Sequence, residues 1–223
     1  MGFVVALDGP AGSGKGTVTR KIAKQMNLIN FDTGAMYRCV TLLMLRKGVK
    51  LEETDKIQEI LDEIDIKFEI KQDEQKVYLN NEDVSLVIRS KEVNEFVSPV
   101  STIGIVRAKL SQLQREMSKL IDVIMEGRDI GTNVFPDADV KIYLDATPEE
   151  RARRRFKQNE ENGIQIPYEE ILQNVKSRDY TDSHREIAPL KKAEDAIYID
   201  STNMTIEEVV EQIEKLIKEK RGI

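Results

Sequence analysis

Residues 3–7 (FVVAL) run apolar without a break, stop at Asp8, and lead straight into Gly9-Pro10-Ala11-Gly12-Ser13-Gly14-Lys15-Gly16-Thr17. Few folds accommodate that junction. An apolar run of this length, bounded by glycine and proline, reads as a strand buried on both faces. Beyond the glycines, Val18, Ile22 and Met26 recur every four residues, the spacing of one helix face. The string between them fits G-x-x-x-x-G-K in the setting that motif requires, after a strand and before a helix. Glycines let main-chain N–H groups curl around phosphate oxygens with no Cβ in the way. The helix N-terminus adds partial positive charge, and Lys15 is placed to neutralise the β- and γ-phosphates. Gly16 stands where the motif carries Ser or Thr, so the hydroxyl that could face a magnesium ion comes one place later, at Thr17.

Downstream, strands and helices alternate. Residues 28–31 suit a short strand, 35–45 a helix, 123–125 and 140–144 two buried strands, and 197–200 a last one. Val106, Leu110, Leu113, Met117 and Leu120 mark a long amphipathic helix. Thr147-Pro148-Glu149-Glu150 and Thr205-Ile206-Glu207-Glu208 are capping boxes that open helices. Gly163 ends the first of these, and another helix spans about 168–182. On the last helix Val209, Val210, Ile213 and Leu216 face inward. Strands joined through helices give a parallel sheet, so the fold class is α/β. One segment breaks the pattern. Ile66, Phe68 and Ile70, then Val77 and Leu79, alternate with polar residues across a polar turn at 71–76, the period of a small antiparallel hairpin. The chain is therefore expected to divide into a core (1–61, 93–147 and 193–223), an inserted subdomain (62–92) and an arginine-rich helical lid (148–192).

A phosphate loop leaves the acceptor open, so a second anion site is expected. In Asp32-Thr33-Gly34-Ala35-Met36-Tyr37-Arg38, Thr33 could cap the next helix with Arg38 just over a turn in, a phosphate cradle or equally a plain cap with an exposed arginine. Glu126-Gly127-Arg128-Asp129-Ile130-Gly131 follows a predicted strand at the end where parallel sheets bind ligands. Arg128 suits a bidentate phosphate contact and Asp129 could accept from an exocyclic amine; the plainer reading is an Arg128–Asp129 ion pair. Residues 151–192 hold ten Lys/Arg against seven Asp/Glu in a chain of net charge −6. Arg151, Arg154 and Arg155 share one helix face, and Arg178, Asp182 and Arg185 another. These are either solvated faces or the lining of a lid that closes over two phosphorylated substrates, which would bring Arg151, Arg154 or Arg155 to the transferring phosphates. The single His184 sits in a polar stretch and reads as no catalytic base, and Cys39 reads as a small core residue.

Composition narrows the function class. One cysteine rules out an internal disulfide framework, and one Cys with one His cannot make a zinc cluster. The first apolar run is too short for a signal peptide or a membrane span, which points to the cytoplasm. The net negative charge, six Tyr, six Phe and no Trp argue against nucleic acid as a partner.

The strings GPAGSGKGT (9–17), DTGAMYR (32–38), DVSLVIRSKEV (83–93), VRAKL (106–110), EGRDIGT (126–132) and RDYTDSHREIAP (178–189) together resemble the bacterial cytidylate kinases, nucleoside monophosphate kinases. The resemblance spans nearly the whole chain. It implies a P-loop parallel sheet with a monophosphate-side insert and a lid, and the reaction ATP + CMP (or dCMP) → ADP + CDP (or dCDP) with Mg2+. By it, Gly9, Pro10, Ala11, Gly12, Ser13, Gly14, Lys15, Gly16 and Thr17 look like the ATP-phosphate site. Thr33, Arg38, Arg128 and Arg185 look like ligands of the acceptor phosphate, Ser98, Arg107 and Asp129 like readers of cytosine, and Arg178 and Asp182 like sugar contacts. Ser101 or Thr102 could stand in for Ser98. Free nucleotides are the implied partners, with the chain acting as a monomer.

Overall fold

In the computed structural model, which describes residues 2–71, 74–161 and 163–223, the first apolar run becomes a strand buried along its whole length. In chain order the elements are β1 (Val4–Asp8), α1 (Lys15–Met26), β2 (Ile29–Asp32), α2 (Thr33–Lys47), α3 (Thr54–Glu63), β3 (Ile66–Lys71), β4 (Glu74–Leu79) and β5 (Glu82–Asp83). They continue with α4 (Lys91–Val100), α5 (Gly104–Met117), β6 (Val123–Gly127), β7 (Val140–Asp145), α6 (Pro148–Glu161), α7 (Tyr168–His184), β8 (Ile197–Asp200) and α8 (Ile206–Arg221). Two units form, one from Met1–Phe31 with Ser118–Ile223 and one from Asp32–Met117.

The first unit is built on a five-stranded sheet in the order β2-β6-β1-β7-β8. β1 pairs in parallel with β6 and β7, and β7 with β8. Val5, Leu7, Ile124, Ile142, Leu144 and Ile199 of the strands pack with Val18 and Ile22 of α1 and with Val209, Ile213 and Ile217 of α8. That single apolar layer explains the long unbroken strands and the four-residue spacing on the helices. Because the strands are parallel, the loops after β1, β6, β7 and β8 leave the sheet at its carboxyl end, where ligands of such sheets bind. In α8, Thr205 Oγ1 accepts from Glu208 N at 3.2 Å, and Glu208 Oε2 in turn accepts from Thr205 N at 2.8 Å. At α6 only half of the expected box forms. Thr147 Oγ1 accepts from Glu150 N, but the Glu150 carboxylate turns to Arg153 and Arg154, and Thr147 N donates to Thr202.

The second unit carries its own core of Met36, Val40, Ile57, Ile60, Leu61, Val84, Ile88 and Leu110 under a three-stranded antiparallel sheet, β3-β4-β5. Phe68 pairs with Val77 and Ile66 with Leu79, as the alternation requires. Of the turn expected at 71–76, Lys71 belongs to β3 and Glu74, Gln75 and Lys76 to β4, while Gln72 and Asp73, with the Ile70 side chain, lie outside the described residues.

Some expectations change. Leu120 is 92% exposed, because α5 stops at Met117 and the chain must turn to enter β6. On α8 it is Ile217 that is fully buried, with Leu216 only partly so. Helices α3 and α4 were not marked in the sequence reading, although Ile57, Ile60 and Leu61 have helical spacing. Pro99, which argues against a helix, sits in the last turn of α4. Among the described residues no helix is long and apolar enough to cross a membrane.

Candidate functional site

In the first unit the turn after β1 is a cradle of main chain. Gly9 takes φ 149°, and a Cβ there would lie 2.0 Å from Leu144 O; Gly14, at φ 96°, caps α1. No side chain larger than hydrogen fits the first position, and the second needs a left-handed backbone. Lys15 folds back over the turn, its Nζ donating to Gly9 O and Pro10 O at 2.7 Å each. Burial, then the positive charge of Arg128, pushes the Lys15 ammonium down to about 7. Ser13 is buried and donates to Pro10 O.

Two of the four arginines of α6 reach this turn. Arg151, nearly fully buried, donates to Ala146 O at 2.8 Å and Ala11 O at 3.1 Å and grips Asp179 of α7 through both carboxylate oxygens at 2.9 and 2.5 Å. Arg154 donates to Ser13 O at 3.3 Å and Ser201 O at 2.6 Å. Arg155, exposed, turns instead to Gln158 on its own helix. Thr17 is exposed, its hydroxyl 3.5 Å from Arg20 Nη2. A Cβ on Gly16 would lie 3.1 Å from Glu126 Oε1, so a hydroxyl side chain at that position would meet a carboxylate.

The strand β6 delivers the second cluster. Arg128 does not pair with its neighbour. Its Nε donates to Asp182 of α7 at 2.9 Å, while Asp129 pairs with Arg185 at 3.3 Å. Burial works against the charge on Arg128, but Asp182 outweighs it and holds the guanidinium more firmly protonated. Burial likewise raises Asp182, yet Arg128 and Arg178 prevail and hold its carboxyl below the usual range. Arg185 is not on the helix face expected for it. It is the residue that ends α7, in extended conformation, and its Nε ties Ala188 O at 2.7 Å where Ala188 takes φ 49°. Asp8, unremarked in the sequence beyond ending the strand, accepts from Ile130 N at 2.8 Å and Gly131 N at 2.7 Å. Burial pushes it up to about 6. It thereby fixes the turn after Arg128 to the start of the phosphate loop. Asp179, Ser201 and Asn133 also escaped the sequence reading, since nothing in a single sequence marks a partner brought in by folding.

In the second unit the cap of α2 is Asp32, not Thr33. Asp32 Oδ1 accepts from Ala35 N at 3.1 Å, and Thr33 is buried as the first helical residue. Arg38 Nη1 would lie 3.0 Å from a Cβ on Gly34, so glycine lets the guanidinium fold back over the helix N-terminus, where Asn94 receives its Nε at 3.4 Å. Arg107 is buried. It donates to Ser101 O at 3.0 Å, with its guanidinium 5.4 Å from the Tyr37 ring centroid. Ser98 is half-buried on α4, its carbonyl accepting from Ser101 Oγ.

Residues 5–219 match the family model described as cytidylate kinase. The chain is 49% identical over 212 residues to a cytidylate kinase of Caldicellulosiruptor saccharolyticus, covering 95% of this chain and 94% of that one. It is 49% identical over 216 residues to a cytidylate kinase of Fusobacterium nucleatum, covering 97% of each. Among solved structures, an uncharacterized protein from Eubacterium ventriosum is similar at a TM-score of 0.51 and 13% identity, over 97% of this chain and 98% of that one. That last likeness is one of fold.

Proposed function

The chain belongs to the cytidylate kinase family, and on that premise we infer that it transfers the γ-phosphoryl group of ATP to CMP or dCMP, giving ADP and CDP or dCDP. The family match over residues 5–219 carries the reading. The chemistry of the two clusters supports it. An acceptor phosphate has its second pKa near ~6, so at neutral pH it is mostly a dianion and needs no general base. Its oxygen attacks the γ-phosphorus as the bond to the ADP oxygen breaks, and ADP leaves with those electrons. What the protein supplies is alignment of two polyanions and neutralisation of charge.

We assign the ATP phosphates to the main-chain N–H groups of residues 9–17 and to Lys15. Arg151 and Arg154 steady that loop and, on closure of the lid, serve the transferring phosphoryl, with Arg155 the outermost candidate. The acceptor phosphate falls to Arg128, Arg185, Thr33 and Arg38, the sugar to Arg178 and Asp182, and the base to Asp129, Arg107 and Ser98. Magnesium would enter with ATP. Mg2+ keeps phosphate and water oxygens and takes one or two more from protein. Thr17 and Glu126 supply such oxygens near the start of α1, and the ion when bound neutralises phosphate charge. A lid of 148–192 excludes water, which would otherwise take the phosphoryl group; the insert 62–92 enlarges the acceptor side. On the same reading the enzyme works as a cytoplasmic monomer on free nucleotides.

Cytosine carries an N4 amine where uracil carries an O4 acceptor. A carboxylate accepts from the first and repels the second. UMP should therefore be a poorer acceptor, by about ten- to a hundredfold. The test is Asp129→Asn assayed with CMP and UMP by coupled ADP release. Loss of the CMP preference is expected. An unchanged ratio removes Asp129 from base reading, and activity on another acceptor with none on CMP or dCMP removes the assigned reaction.

A further inference from the structure

The turn that follows Asp129 is wound wider than an α-helix. Val134 N donates to Asp129 O at 3.2 Å and Phe135 N to Ile130 O at 2.7 Å, both five residues back, across the π-turn Ile130–Val134. Such turns gather at functional sites. The winding places Asn133 four residues on from Asp129, with its Nδ2 donating to Asp129 Oδ2 at 3.0 Å. The other oxygen of Asp129, Oδ1, meets Arg185 Nη2 at 3.3 Å. Asp129 is buried, whereas Asn133 is exposed. Both carboxylate oxygens are thus held by side chains from different segments, and a carboxylate held at both oxygens has a fixed plane.

We propose that Asn133 is a specificity-determining positioning residue, holding the Asp129 carboxylate in the orientation that accepts the exocyclic amine of a cytosine base. The proposal rests on Asp129 as the reader of that base. An unpinned carboxylate rotates about χ2, a broad torsion in aspartate, and presents its lone pairs to the amine only part of the time. An amide also donates without adding charge, so Asn133 fixes Asp129 without neutralising it, unlike an arginine or lysine at the same place. Arg185 meets only Oδ1, at 3.3 Å, and is also assigned to the acceptor phosphate, so the hold on Oδ2 falls to Asn133.

The experiment compares kcat/KM for CMP and UMP in the wild type, Asn133→Ala, Asp129→Asn and the double variant. Asn133 is exposed, so its truncation leaves the apolar core intact, and an unchanged melting curve by circular dichroism checks this. Asn133→Ala is expected to lower kcat/KM for CMP roughly three- to tenfold while UMP changes little, so the preference narrows. In the Asp129→Asn background the same truncation should change the ratio no further, because the group it positions is gone. If Asp129→Asn narrows the preference and Asn133→Ala does not, the positioning role is overturned and base reading by Asp129 stands. If Asp129→Asn leaves the preference intact, base reading falls and this inference with it. An equal loss for CMP and UMP in Asn133→Ala marks a structural role only and also overturns the proposal.

Discussion

Lys15 lies buried with its ammonium on the carbonyls of Gly9 and Pro10, and that burial carries a pH dependence. In the nucleotide-free protein, burial and then the charge of Arg128 push its pKa down to about 7. Triphosphate oxygens favour the charged form and raise the pKa on binding, so ATP takes up a proton. The sign follows: the favourable contribution is full below about pH 7 and is lost as pH rises above it. Above pH 8, where ATP itself is fully ionised, Kd should climb towards roughly tenfold per pH unit. Calorimetry at pH 7, 8 and 9 reads this, and a flat Kd would mean that Lys15 is charged throughout. At this scale the sequence named Lys15 and the glycines but not Asp8, whose two main-chain hydrogen bonds, from Ile130 and Gly131, span more than 120 positions of chain. Nor could it choose between Thr33 and Asp32 as the cap of α2. Both are good capping residues one place apart, and the choice turns on where the helical dihedrals begin.

Among elements, α6 stands out because it touches both the phosphate loop and α7. Arg151 spends its guanidinium on Ala11 O and on both oxygens of Asp179, so it couples three segments of one unit. Arg151→Ala should lower kcat by roughly a hundredfold, the scale for losing one preorganised donor, with a smaller rise in KM for ATP. Steady-state kinetics separates the two, and a change confined to KM would make the arginine a binding group only. The sequence placed α6 well, because Pro148 and the acidic first turn are local signals. It ran α5 three residues too long, since an apolar residue at helical spacing says nothing about where the chain must turn.

Across the whole molecule, a ligand that binds the folded chain and not the unfolded one stabilises it, and CMP, proposed to bind Arg128, Asp182 and Arg185 of the first unit, should do so. At a hundred times its Kd it adds about 2.7 kcal/mol, which raises Tm by several degrees for a chain of this size. Arg128→Ala should abolish most of that shift in a melting experiment while sparing the shift produced by ATP. If both shifts survive, Arg128 is not an acceptor ligand. The sequence by itself determined the α/β class, the order of the five parallel strands, the helices other than α3 and α4, the antiparallel hairpin and the glycine-rich loop, because each is written in local periodicity, capping residues or glycine spacing. Only the tertiary structure decided that Arg128 pairs with Asp182 and Asp129 with Arg185 rather than with one another, that Arg151 is locked to Asp179, and that Asn133 holds Asp129. Those pairings depend on which side chains the parallel sheet and the π-turn bring within hydrogen-bonding distance, and the spacing of residues along the chain does not encode that distance.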